Sequence, residues 1–388
     1  MKKLINTFIL IISISILTSC GDKFDFSTSN LSTDFEQNSE FAIPLVDASI
    51  ILEEILPDDS TLNKYLVIDN NKFIRLINEY DLASYPANDF FDGNYSGNNL
   101  PFIEYKLNSQ IIDIGLNKFI NQGEFYLADP KITISIKNYW NVATRFKFAK
   151  FFYFEEANSA GKPVTGPILN DWVYVNLPIS PEEFAYTNIK LNNNNSNIAD
   201  VISAMPHHFS FGANFETIPG GAYNINPGSV DSVKVKIDIP LDLRVTDLIL
   251  RDTEDFNLGS ELGNDTAKVQ SLLLNFVIQN GFPISIDAQL YFADANYRIL
   301  DSISTAGISI PSATVDAEGK VNQSTESLNT INIENQKKAN LFKSKYIIPK
   351  IKFNTANSNT MQAVKLYSTY TVGLKIGARI KFQLKSTN

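Results

Sequence analysis

From Phe41 onward the chain is dominated by short runs in which every second residue is apolar, and amphipathic helical spacing is scarce. The clearest runs cover 131–137 (KITISIK), 233–239 (VKVKIDI) and 284–290 (ISIDAQL). Each gives a strand one apolar side and one polar side, the pattern of a sheet packed on one face and wetted on the other. Residues 65–77 read as a hairpin turning at Asp69-Asn70-Asn71, because Asn and Asp tolerate positive φ. Short helices are predicted over 48–56, 197–204 and 336–343. Turn clusters at Asp92-Gly93-Asn94, Asn192 to Asn195, Pro219-Gly220-Gly221 and Asn226-Pro227-Gly228 punctuate the rest. The expected fold is all-β: tandem antiparallel β-sandwich-like units with a few short helices.

An internal repeat supports the tandem arrangement. Residues 132–154 read as a strand, the turn Asn138-Tyr139-Trp140, and a second strand ending in aromatics. Residues 272–292 read the same way around Asn280-Gly281-Phe282-Pro283. A boundary near Pro227-Gly228 then separates a β-rich domain, 41–228, from a second sandwich-like domain, 229–388.

The first nineteen residues are a targeting segment, with Lys2 and Lys3 before an uncharged apolar stretch from Leu4 to Leu17. At a 1.5 Å rise per residue such a stretch reaches about 21 Å, short of a bilayer core of roughly 30 Å. Leu17-Thr18-Ser19-Cys20-Gly21 follows and resembles the lipobox of bacterial lipoproteins. That resemblance implies cleavage before Cys20, acylation of its sulfur and new amine, and anchoring by more than one chain. Asp22 occupies the third mature position and not the second, which points to the outer membrane. Residues 20–40 read as a polar, flexible tether. The second half resembles an uncharacterised element of Bacteroidota outer-membrane lipoproteins, through Asn280-Gly281-Phe282-Pro283, residues 290–294 (LYFAD), Asp301-Ser302-Ile303 and residues 364–370 (VKLYSTY). The same resemblance makes Ser60, Ser232, Thr266 and Ser302, each preceded by Asp, candidate O-glycosylation positions.

Charge and composition narrow the chemistry. The chain of 388 residues has one cysteine, which excludes a disulfide framework and a cysteine-based zinc cluster. Its only two histidines are adjacent, which argues against a dispersed catalytic triad. Net charge is −9, yet the last 54 residues contain eleven Lys and Arg and no acid. In the final strand Lys375, Arg379, Lys381 and Lys385 alternate with apolar residues and would form a cationic stripe. Two readings stand: cross-strand ion pairing, or a contact face for lipid phosphates or an acidic partner. An exported, acidic protein is poorly suited to nucleic acid.

Candidate chemistry is sparse. In an extended segment His207 and His208 should point to opposite faces, so no metal site is expected there. The acidic pairs Glu53-Glu54, Asp58-Asp59, Glu155-Glu156 and Glu182-Glu183 suit solvated turns better than a glycosidase cleft. Residues 89–94 are oxygen-rich but lack the ligand spacing of an EF-hand. No cofactor motif occurs. The run from Phe146 to Phe154 holds six aromatics, either buried on both sides or offering Phe146, Phe148 and Phe152 to a ligand or partner. Together these features lead to the expectation of a non-catalytic, outer-membrane-anchored accessory or binding subunit of an envelope assembly. The alternatives are a carrier or sensor of an amphiphile held between sheets, and a surface protein that binds or cleaves glycans.

Overall fold

The computed structural model describes residues 36–55, 65–93, 95–113, 122–180, 182–251, 253–255, 269–303 and 307–385. Cys20, Ser60 and Thr266 lie outside them. The described chain is almost entirely antiparallel β-structure, in two compact units. Of the described residues, the flanking unit contains 36–55, 122–124 and those from 245 to 385; the inserted unit lies between, over those from 65 to 113 and from 125 to 244.

The chain begins in the flanking unit with β1 (Glu36–Ile51). The inserted unit then supplies β2 (Leu66–Ile68), β3 (Ile74–Pro86), β4 (Glu104–Asp113), β5 (Lys131–Asn138), β6 (Thr144–Phe154) and β7 (Ala185–Leu191). A short helix α1 (Ile198–Ser203) precedes β8 (His208–Thr217) and β9 (Val230–Pro240). The flanking unit resumes within β10 (Asp242–Arg251) and continues through β11 (Val269–Asn280), β12 (Ile284–Ala293) and β13 (Thr325–Glu334). Helix α2 (Asn335–Lys343), β14 (Tyr346–Thr355) and β15 (Thr371–Lys385) complete it.

The two units repeat one topology. In the inserted unit one sheet runs β7-β5-β9-β3-β2 and the other carries β6-β8-β4. In the flanking unit the corresponding sheets run β13-β11-β15-β1 and β12-β14-β10. Each unit therefore has seven equivalent strands in the same chain order, with a helix before the sixth. The alternation read from sequence sets which side is buried: β5 alternates partly and fully buried residues along its length, and Ile132, Ile134 and Ile136 face the core. In the flanking unit Leu274, Phe276 and Ile278 of β11 pack with Leu374, Ile376 and Ala378 of β15.

The domain boundary drawn from sequence is corrected by strand pairing. β1 pairs antiparallel with β15, from Glu36 opposite Lys385 to Ile51 opposite Thr371. One sandwich is thus inserted into the other and does not precede it. Residues 36–40 of the expected tether are already in this strand, and so are 48–51 of the first expected helix, which is confined to Leu52–Ile55. Pairing with β15 supplies those residues with backbone partners that a single helical turn could not match. The hairpin at 65–77 forms, with Leu66 opposite Leu76 and Asp69 Oδ1 accepting from the Asn71 and Phe73 amides at 2.8 and 3.0 Å, but the positive φ falls on Lys72, at 66°, and not on Asp69, Asn70 or Asn71.

The repeated Asn turns are the corners where the chain passes from one sheet to the other in each unit. Asn138 is buried; its Oδ1 accepts from the Trp140 amide at 2.9 Å and its Nδ2 donates to the Asn176 carbonyl at 2.8 Å. Asn280 is buried too, and its Oδ1 accepts from the Phe282 amide at 2.9 Å. Its Nδ2 donates to the carbonyls of Ile284 and Pro311 at 2.9 and 2.8 Å. The turns differ at the next residue. Gly281 lies so close to β15 that a Cβ would sit 2.6 Å from the Thr371 carbonyl, whereas the Tyr139 amide is met by a side chain, Asp231. Asn138→Ala removes two and Asn280→Ala three side-chain hydrogen bonds at a part-buried corner, at about 0.5–1.5 kcal/mol each. Asn138→Ala and Asn280→Ala are each expected to lower stability by about 1–4 kcal/mol in urea unfolding, in the unit that carries the change. A loss below about 0.5 kcal/mol in both would contradict the pinning role.

Candidate functional site

The residues singled out in the sequence are redistributed by the fold. On β15, Lys375, Arg379 and Lys381 do share one exposed face, since Leu374, Ile376 and Ala378 are buried opposite. That face carries its own counter-charges: Lys375 pairs with Asp47 at 3.6 Å and Arg379 with Glu40 at 3.2 Å, both on β1. Lys381 stands opposite Glu40 in the register. Lys385 closes the strand, and its side chain lies outside the described part. The cross-strand alternative therefore holds at Lys375 and Arg379. Such exposed pairs are worth about 0.2–1 kcal/mol each.

Of the two readings of the aromatic run, the one that offers Phe146, Phe148 and Phe152 as a single face is not what the strand presents. β8 pairs Ala213 with Phe148 and Gly212 with Lys150, so Ala149 is an extra residue in β6. A bulge of one residue reverses the facing of everything beyond it. Phe146, Phe148 and Phe151 are consequently buried, while Phe152 and Phe154 point to the other side and are half-buried. The core rings pack edge-to-face and stacked: Phe148 and Phe151 each lie 5.6 Å from Phe211, and Phe146 lies 5.4 Å from Phe215.

His207 and His208 also depart from expectation. Their Nδ1 atoms are 3.3 Å apart, with the rings perpendicular. Met205 at φ 52°, and the His207 amide donating to the Phe154 carbonyl at 2.6 Å, turn the chain so that the two rings meet. The acidic pairs serve local contacts: Glu155 pairs with Lys162 at 2.6 Å, and Glu53 accepts from the Ser368 hydroxyl at 3.1 Å. Ser232 and Ser302 are half-buried, on β9 and at the end of the strand Ile299–Ser302.

An exposed aromatic cluster, not singled out in the sequence, forms at the Asn138 corner of the inserted unit. Tyr186 on β7 stands opposite Lys137 on β5, so both side chains share the solvent side. Phe184 lies 5.2 Å from Tyr139 and 5.3 Å from Tyr186. The Lys137 ammonium sits 4.1 Å from the Phe184 ring centre and 4.7 Å from that of Tyr139. Phe184 and Tyr186 are 46% and 50% exposed, and Leu177 nearby is 48% exposed, large values for side chains of this kind.

Buried polar groups hold this cluster in place. The Asn138 Nδ2 donates to the Asn176 carbonyl; Asn176 in turn donates its amide to Thr187 Oγ1 at 2.7 Å and its Nδ2 to the Tyr186 carbonyl at 2.8 Å. The Tyr139 amide donates to Asp231 at 2.7 Å. Asp231 is buried, which pushes its carboxyl up to about 7, against the opposing pull of the Tyr139 and Trp140 amides. Tyr105, also buried and close to Asp231, is pushed well above the ordinary tyrosine range by burial. The signal for the cluster was present in the sequence: Phe184 and Tyr186 fall on the same parity as Asn188 and Lys190, where a half-buried strand places polar residues.

No family model matches this sequence, and no curated protein matches it. Among solved structures, the chain is similar to a protein described as secreted from Parabacteroides distasonis, at 10% identity, covering 88% of this chain and 99% of that one, with a TM-score of 0.43. It is also similar to a protein in the structure of infectious bursal disease virus, Gx strain, at 11% identity and a TM-score of 0.18, covering 79% of this chain and 71% of that one. Likeness at these levels assigns neither family nor function.

The raised Asp231 carboxyl has a signed consequence. The unfolded chain loses that proton near pH 4, the folded one near pH 7, so the contribution is fully present below about pH 4 and is lost as pH rises to 7. Asp231→Asn is expected to remove a decline of a few kcal/mol between those limits, seen as a flatter unfolding free energy against pH. An unchanged slope in the variant would contradict a buried, protonated Asp231.

Proposed function

We propose that this protein is a non-catalytic, lipid-anchored outer-membrane protein that serves as a binding subunit of an envelope assembly and meets a protein partner through the Lys137, Tyr139, Phe184 and Tyr186 cluster. The observation that carries the reading is that cluster: large aromatic side chains, partly exposed, on and beside a strand at the edge of a sheet, fixed by part-buried hydrogen bonds. Rigid aromatic anchors beside a cation are the residue types that dominate protein interfaces. The rings are inclined to each other by 56° and 76°, which makes a ridged surface and not the flat strip on which a glycan stacks. The filled phenylalanine core of the inserted unit lends no support to an amphiphile held between its sheets. Anchoring rests on the lipobox at Cys20.

The test is co-purification of the tagged full chain from native membranes, with Phe184→Ser/Tyr186→Ser and Cys20→Ala as separate variants. The proposal expects a stoichiometric protein partner that survives a salt wash, loss of that partner in the double variant, and release from membranes in Cys20→Ala. Retention of the same partner by the double variant, or no stoichiometric partner at all, would overturn it.

A further inference from the structure

We infer that His207 and His208 form a two-imidazole chelate for a tetrahedral divalent cation of the Zn²⁺ type. The inference is independent of the protein-binding surface, which involves neither residue.

The two Nδ1 atoms lie 3.3 Å apart and share one hydrogen bond in the metal-free pair, one ring donating and the other accepting according to tautomer. Loss of that single shared proton leaves two nitrogens facing each other at a spacing an ion can bridge. Two imidazole nitrogens at this spacing, each 2.0–2.1 Å from a shared ion, subtend an angle of about 104–111°, the tetrahedral value that Zn²⁺ adopts. A square-planar Cu²⁺ site calls for an angle near a right angle.

The pair is also preorganised. Pro206 is buried, Met205 takes a left-handed conformation, and the His207 amide is tied to the end of β6. The His208 ring is clamped against Phe154, 4.4 Å away and nearly parallel. Both imidazoles are only partly buried, so an ion can enter with water in its remaining positions. Asp113 stands directly opposite His208 on β4 and brings a carboxylate to the same side of the sheet. No group of three or more metal-binding side chains converges among the described residues, so of these the two histidines are the ligands and solvent completes the shell.

The fold itself does not demand histidine here. The equivalent position of the flanking unit, the first residue of β14, is Tyr346, and it stacks on Tyr297 at 4.3 Å. An aromatic ring satisfies that corner; two facing nitrogens are an addition peculiar to the inserted unit.

Because these are the only histidines in the chain, the test is clean. The full chain, purified through a tag without histidine, stripped with chelator and carrying Cys20→Ser in every arm, is titrated calorimetrically with ZnCl₂ and with CuCl₂. His207→Ala and His208→Phe are compared, the latter keeping the ring on Phe154. One saturable Zn²⁺ per chain is expected, with affinity reduced at least about tenfold in each variant and further weakened at low pH as protons compete for the imidazoles. No saturable Zn²⁺ binding, binding unchanged in both variants, or a site that takes Cu²⁺ and not Zn²⁺ would overturn the inference.

Discussion

The flanking sandwich depends on the antiparallel pairing of its first and last strands. Among the described residues β1 has a sheet neighbour on one side only, and that neighbour is β15. Their partners at one end, Ile51 and Thr371, lie roughly 320 positions apart in the chain, a separation that makes the contact slow to form and entropically costly to close. The inserted unit lightens that cost, because most of the intervening chain, including 65–113 and 125–244, is drawn into one compact body. Cross-strand pairs such as Lys375 with Asp47 then fix the register for a few tenths of a kcal/mol each, while Leu374, Ile376 and Ala378 contribute the apolar burial that drives the pairing.

The second constraint is the corner between sheets. A chain that leaves one sheet for the other must bury a turn, and buried backbone groups require partners. Both units meet this requirement with an asparagine whose carbonyl caps the amide two residues on. In the inserted unit the same corner extends through Asn176 and Asp231 to the backbone of Tyr186 and Tyr139. The polar groups that close the corner therefore also position the exposed aromatic cluster, and the structural need and the proposed binding surface share one network.

The all-β class, the three strongest strands and the hairpin at 65–77 were legible because period-two alternation is a local signal. The Asn turns were legible as a repeat for the same reason. The insertion of one sandwich into another was not, since nothing local in 36–51 indicates that its partner is 371–385. The aromatic run misled because a bulge at Ala149 reverses side-chain facing, and bulges depend on what the neighbouring strand offers; here that is Gly212, where a Cβ would stand 3.2 Å from the Leu107 carbonyl. The histidines misled similarly: alternation assumes a regular strand, and the left-handed Met205 breaks it just before the pair. Lys375, Arg379 and Lys381 share a face as alternation suggests, but the counter-charges Glu40 and Asp47 lay in segments read as the tether and the first domain, with no strand assigned to them.

Hydrogen exchange of the native full chain tests the insertion most directly. Amides of β1 that bond to β15 are predicted to exchange slowly and to lose protection together with the β15 amides that face them as denaturant is added, because β15 is the sheet neighbour that β1 pairs with. Free exchange across 40–51, with 371–385 still protected, would contradict the account and return the N-terminal segment to the tether.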